Sequence, residues 1–259
     1  MKVLNLKRPP IKFIWIGGIL LCAAVLFSSI ASKNSGMVDI LKISVDQLDD
    51  DRTLVTDKDI KQTIERKYGS GLEGMPIREL DVKEIEKLVE QNPFVLNADV
   101  YIDARSKLCI HVEQRVPLMR IQDKFGSTYY IDDKLNKFPV SRHYTPRTLI
   151  GSGNIAPYDS IAVASGKHIL PQIAEIAKAI EKDQLILSLV EQLYVDGDDN
   201  IILVPKIGNQ KYILGNADKL DDKLAKMKIY LKMIAPREGW TRHSYVNLKY
   251  DGQIVCNKI

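Results

Sequence analysis

The chain has 259 residues, 45% hydrophobic and 27% charged, enough apolar material for one large core or two modest ones, which excludes a disordered or fibrous protein. Four of its 37 basic residues (Lys2, Lys7, Arg8 and Lys12) stand unopposed before Phe13, and the 33 that follow face 33 acidic residues, so the body is neutral and has no basic stripe for tracking nucleic acid. Its three cysteines, Cys22, Cys109 and Cys256, lack CxxC or Cys/His spacing; one bridge at most can form, and Cys109 and Cys256 read as small apolar fillers rather than a metal or redox pair.

Residues 1–12 form a short basic stub in which Pro9 and Pro10 oppose helix. Residues 13–32 carry no charge and are long enough as a helix to cross roughly 30 Å of hydrocarbon, so this run is expected to be a transmembrane helix. Basic residues crowd its N-terminal side, which places the stub in the cytoplasm and the rest of the chain outside it. A cleaved signal peptide is the competing reading, with Ser29 and Ala31 as a cleavage site, but an apolar region of that kind is usually only about 7–15 residues. Either way the body is exported.

From residue 37 to 116 the pattern predicts strand, helix, helix, strand, strand. Val38 to Val45 alternates as a strand. Thr56 caps a helix with Ile60, Ile64 and Tyr68 at helical spacing, stopped by Gly69. Leu80-Asp81 opens a second helix (Val82, Ile85, Leu88, Val89), which Asn92-Pro93 ends. Val95 to Ile102 and Leu108 to Val112 then read as strands joined at Asp103 to Lys107. Residues 117–259 change texture to many short strands, interrupted by two helices, His168 to Asp183 and Ala217 to Ile234. Tyr245 to Tyr250 and Ile254 to Asn257 are expected to close the chain as a hairpin, turned in type I′ by Asp251-Gly252. The fold class is therefore α+β: a transmembrane helix, a βααββ unit, and a β-rich domain with two helices.

The first unit has the element order of a POTRA domain. Asn92-Pro93-Phe94-Val95, Ala98, Val100, Leu108, Ile110, Val112, Glu113 and Pro117 resemble the second half of the POTRA domain in the FtsQ/DivIB family of bacterial cell-division proteins. Tyr130-Ile131-Asp132-Asp133 with Phe138-Pro139 is similar to that family's entry into its β domain, and Ser244 to Gly252 resembles its closing hairpin, with Asn247 and Lys249 where the family often has Asp and Arg. The region from Arg142 to Ser188 matches least well.

Catalytic chemistry has little to stand on. No G-x-S-x-G, S-x-x-K, H-E-x-x-H or P-loop is present, and the four histidines (His111, His143, His168, His243) are scattered singly. Gly151-Ser152-Gly153 reads as a glycine turn, and Asp196 to Asn200 as a hairpin turn, since no Glu closes a calcium loop. An envelope hydrolase or transferase would need a convergent nucleophile and base that nothing here suggests.

The final strand, Gln253 to Asn257, has no element after it to cover it and is expected at a sheet edge, where a partner segment could add as a strand. The resemblance implies a non-enzymatic scaffold without cofactor or metal, at the division septum of the inner membrane. Its partners would be small single-pass coiled-coil proteins (FtsB/DivIC-like and FtsL-like) and other division proteins in the membrane. It makes Tyr250, Gly252, Gln253, Ile254 and Cys256 docking positions and pairs Lys249 with a partner carboxylate. The alternative is a POTRA-type chaperone or assembly factor for outer-membrane or secreted proteins; such proteins usually carry tandem POTRA units and a barrel.

Overall fold

The computed structural model describes residues 36–48, 51–69 and 71–258; the expected transmembrane helix at 13–32 lies outside the described residues. Two compact units are present. The first comprises 36–46 and 56–113, the second 47–55 and 114–258.

In the first unit the order is β1 (Ile40–Val45), α1 (Asp57–Tyr68), a 3-10 turn (Ile77–Glu79), α2 (Val82–Glu90), β2 (Val95–Ile102) and β3 (Lys107–Gln114). The strands form a sheet in the order β1-β3-β2, with β1 parallel to β3. Each helix brings one apolar face to that sheet, so Ile60, Ile64, Ile85 and Val89 are buried with Val95, Ala98, Val100, Leu108, Ile110 and Val112. The face of β1 differs from its expected reading: Leu41, Ile43 and Val45 are half-buried, whereas Ile40 is exposed and Val38 is buried ahead of the strand. Both outer strands carry a carboxylate on a backbone amide. Leu41 N–H donates to Glu73 Oε1 (3.3 Å) and Val100 N–H to Glu86 Oε1 (3.1 Å), which blunts these edges.

Helix α1 starts where capping chemistry dictates. Thr56 Oγ1 accepts from Asp59 N–H (3.3 Å) while the Asp59 carboxylate accepts from Thr56 N–H (2.9 Å), a reciprocal box that satisfies two orphan donors. Thr56→Ala is expected to cost about 1 kcal/mol in a urea melt, and Thr56→Ser almost nothing.

The second unit is one nine-stranded sheet packed on helices. Its strands are β4 (Met119–Gln122), β5 (Thr128–Ile131), β6 (Lys137–Phe138), β7 (Leu149–Gly153), β8 (Val190–Val195), β9 (Ile201–Pro205), β10 (Lys211–Gly215), β11 (His243–Asn247) and β12 (Val255–Lys258), in the order β12-β11-β10-β9-β8-β7-β4-β5-β6. Parallel neighbours need a crossover: β5 and β6 lie between parallel β4 and β7, and helices supply the other two. Between parallel β7 and β8 lie α3 (Ser160–Ala164), α4 (Leu170–Glu181) and α5 (Gln184–Leu189). Between parallel β10 and β11 lie α6 (Leu220–Ile229), a π-helical turn (Tyr230–Ile234) and α7 (Ala235–Glu238). The two expected helices are thus α4 and α6 with its continuation; α3, α5 and α7 are additional. One face of the sheet (Met119, Ile121, Leu193, Leu203, Tyr212, Leu214, Val246) shares a continuous core with Ile173, Ile176, Ile180, Leu224 and Met227.

Four hairpins turn by one device. Asp103, Asp123, Asp132 and Asp196 each accept, through Oδ1, from the backbone N–H groups two and four residues on. In each, the residue three places on has positive φ: Ser106, Gly126, Leu135 and Asp199. This is a type I turn followed by a left-handed residue, with the aspartate satisfying the turn's amides. Gly151-Ser152-Gly153, expected as a turn, instead lies in β7.

Candidate functional site

The nine-stranded sheet ends at β12, which pairs antiparallel with β11 in the register Tyr245↔Asn257, Val246↔Cys256 and Asn247↔Val255. Because side chains alternate along a strand, Val246 and Cys256 turn toward the core while Tyr245 and Val255 are 40% and 43% exposed on the other face.

The approach to this strand corrects the expected hairpin. A two-residue type I′ turn needs positive φ at both central residues, but here only Gly252 has it (+68°) and Asp251 does not. Residues 248–254 form a seven-residue loop, and β12 begins at Val255 rather than Gln253. Of the expected docking positions, Tyr250, Gly252, Gln253 and Ile254 therefore lie in the loop and only Cys256 in the strand. Tyr250 is 48% exposed, Gln253 is exposed, Ile254 packs half-buried on the core, and Gly252 borders open space. Burial pushes the Cys256 thiol up, with Glu238 adding to it, and the cysteine is free.

Lys249 is exposed and touches the domain at two points. Its stem lies across Gly215, where a Cβ would come within 2.7 Å of Lys249 Cδ, and its ammonium donates to Asn200 Oδ1 at 3.2 Å. Asn200 in turn donates through Nδ2 to Asp196, so Lys249 is joined to the β8–β9 turn. The cleft beside it, about 470 Å³, carries Asp198, Asp199, Asp218 and Asp251 together with Lys219 and Lys223.

Three anchors of the loop were not legible beforehand. Leu248 N–H donates to the Ile213 carbonyl (2.9 Å), Lys226 Nζ donates to the Tyr250 carbonyl (2.7 Å), and Lys219 pairs with Asp251. The Lys219 contact holds the Asp251 carboxyl below its usual range and raises the Lys219 ammonium. Beneath β11, Tyr230 and His243 share a hydrogen bond at 3.0 Å, and His243 Nε2 lies 3.5 Å from Glu238. Burial pushes the Tyr230 phenol up to about 12, so it stays protonated beside the imidazole. The signal for Lys226 was an interruption: Leu220, Leu224, Met227 and Leu231 make an apolar stripe, and a lysine is buried beside it.

Residues 41–113 match the POTRA-like domain family, and residues 116–257 match the family described as FtsQ/DivIB, C-terminal related. A comparison with curated proteins finds no match. The second of these family matches alone spans more than half of the sequence and runs from ahead of β4 into the last strand, so the chain belongs to the FtsQ/DivIB family of cell-division proteins.

Proposed function

We propose that this protein is a non-enzymatic scaffold of the bacterial division machinery. Residues 13–32 anchor it in the membrane with its body outside the cytoplasm, and β12 receives an extended segment from a small single-pass coiled-coil division protein. The single observation that carries the reading is the position of β12 as the outermost strand of a nine-stranded sheet in a family of cell-division proteins. An outermost strand presents backbone donors and acceptors that a partner strand can satisfy, each hydrogen bond contributing about 0.5–1.5 kcal/mol net. Alternate side chains then choose the partner: Val255 and Asn257 on one face with Tyr245, Cys256 and Lys258 on the other. In this reading Tyr250, exposed in the preceding loop, meets residues flanking the added strand. The exposed Lys249 ammonium gives one of its three donors to Asn200 and keeps others for a partner carboxylate.

In-cell photocross-linking from Val255, Cys256, Asn257 and Lys258 in turn tests this. Capture of small single-pass septal proteins, with yield alternating along the strand, is the expected result. Capture of barrel precursors would redirect the reading to an assembly factor, and equal background yield at all four positions would remove β12 as a docking strand.

A further inference from the structure

The loop 248–254 has no ladder of its own, yet its conformation decides where β12 begins and how Tyr250 is presented. Its middle is tied to one helix by two lysines. Lys226, in α6, is only 6% exposed, and its ammonium donates to the Tyr250 carbonyl at 2.7 Å while pairing with Asp222, one turn back, at 2.9 Å. Lys219, at the residue before α6, pairs with Asp251. Two consecutive loop residues are thus held, one by its main chain and one by its side chain, from points two turns apart on the same helix.

Burying an ammonium is costly unless it is hydrogen-bonded and paired, and an apolar side chain at this 6% exposed position would carry no such cost. What the lysine does that methionine or leucine cannot is hold a carbonyl. Tyr250 C=O belongs to an irregular segment and finds its donor in a side chain 24 residues away. Directly after this clamp Gly252, at φ +68°, redirects the chain, and Ile254 seats on the core before β12 starts.

We infer that Lys226 is a positioning residue for the docking edge: its ammonium fixes the 248–254 loop so that the Tyr250 side chain is presented and β12 enters the sheet in register. The inference rests on the docking reading of β12 for its functional half, whereas the clamp itself does not.

The test uses the full chain in detergent micelles for amide exchange and in cells for capture. Lys226→Met is expected to speed exchange of the 249–255 amides about tenfold or more, the effect of losing a charge-assisted hydrogen bond that closes a local unit, with β8 and β9 unaffected. Capture from Val255 should fall by a similar factor, and Lys226→Arg, which still donates, should restore both. Lys219→Ala, at an exposed position where unfolding is not at stake, should speed exchange at 250–253 a few-fold. Unchanged loop exchange in both variants overturns the clamp; faster exchange with undiminished capture overturns its role in docking. If the wild-type chain captures nothing from any β12 position, the docking reading fails, and the exchange data still decide the clamp.

Discussion

Replacing Gly153 with alanine is expected to cost the β domain about 3–5 kcal/mol, combining a strained backbone conformation with an overpacked site. Gly153 ends β7 at φ +94°, where a Cβ would stand 2.1 Å from the Val195 carbonyl oxygen, 2.9 Å from Val195 N and 3.0 Å from the Tyr194 ring. Val195 is its partner across the ladder, so neither backbone atom can yield without opening the pairing of β7 with β8. Gly151 is the internal control. A Cβ there meets first the Ile121 Cδ1 methyl at 2.7 Å, the free end of a side chain, and its φ is not positive. Gly151→Ala should therefore cost only about 1 kcal/mol. Urea denaturation of the two variants measures the contrast; equal costs would sink the backbone explanation. Because β12 is carried at the end of this same sheet, Gly153→Ala should also lower capture from Val255.

How far the fold could be read from the sequence follows from how local each determinant is. Thr56 and Asp59 are three residues apart, and Ile60, Ile64 and Tyr68 repeat at helical spacing, so α1 was written in one stretch of chain. The turns at Asp103 and Asp196 were legible for the same reason, since each aspartate satisfies amides within four residues of itself. By contrast, α5 is the run Gln-Leu-Ile-Leu-Ser-Leu, whose periodicity suits a buried strand as well as a helix; Asp183, accepting from Leu185 and Ile186 N–H, decides for helix. Gly151-Ser152-Gly153 looked like a turn because glycines usually buy conformational freedom. In β7 both serve close approach, Gly153 using its positive φ as well, and the atoms that demand it come from β4 and β8.

The candidate site was half legible. The alternation that ends the sequence announced a last strand, and the structure places that strand at the end of the sheet order. Asp251-Gly252 nonetheless misled, because a local turn signal was overruled by contacts from elsewhere: Lys226 to the Tyr250 carbonyl, Lys219 to Asp251, and Ile213 to Leu248 N–H. These partners are 24 to 35 residues distant in sequence, beyond any window that reads periodicity or turn type. The resemblance likewise carried residue identities but not their surroundings. It marked Lys249 as the partner of a carboxylate on another protein, and gave no sign that the lysine also lies over Gly215 and donates to Asn200.

Asp132, in the segment that marks entry into the β domain, should make stability depend on pH in a defined direction. It is 3% exposed and accepts from Arg115 Nη1 (2.7 Å), Asn136 Nδ2 (3.0 Å) and the backbone N–H groups of Lys134 (2.9 Å) and Asn136 (2.8 Å). Burial alone would raise its carboxyl; the hydrogen bonds from Asn136 and Arg115 outweigh that and hold it below the usual range. A carboxyl whose folded value lies below its unfolded value of about 3.9 contributes stability above that pH, and the contribution is lost as pH falls through the folded value. Asp132→Ala leaves the largely buried Arg115 without this partner and strips two turn amides of their acceptor, so at pH 7 it is expected to cost about 3–5 kcal/mol. Urea midpoints of wild type and variant, compared from pH 7 to pH 2.5, should differ most above about pH 4 and converge below it. The other carboxylates held low, Asp103, Asp183, Asp196 and Asp251, are present in both proteins and cancel in the difference. A gap that stays constant down to pH 2.5 would mean that Asp132 acts through its shape and not its charge, and the turn would then owe its stability to packing alone.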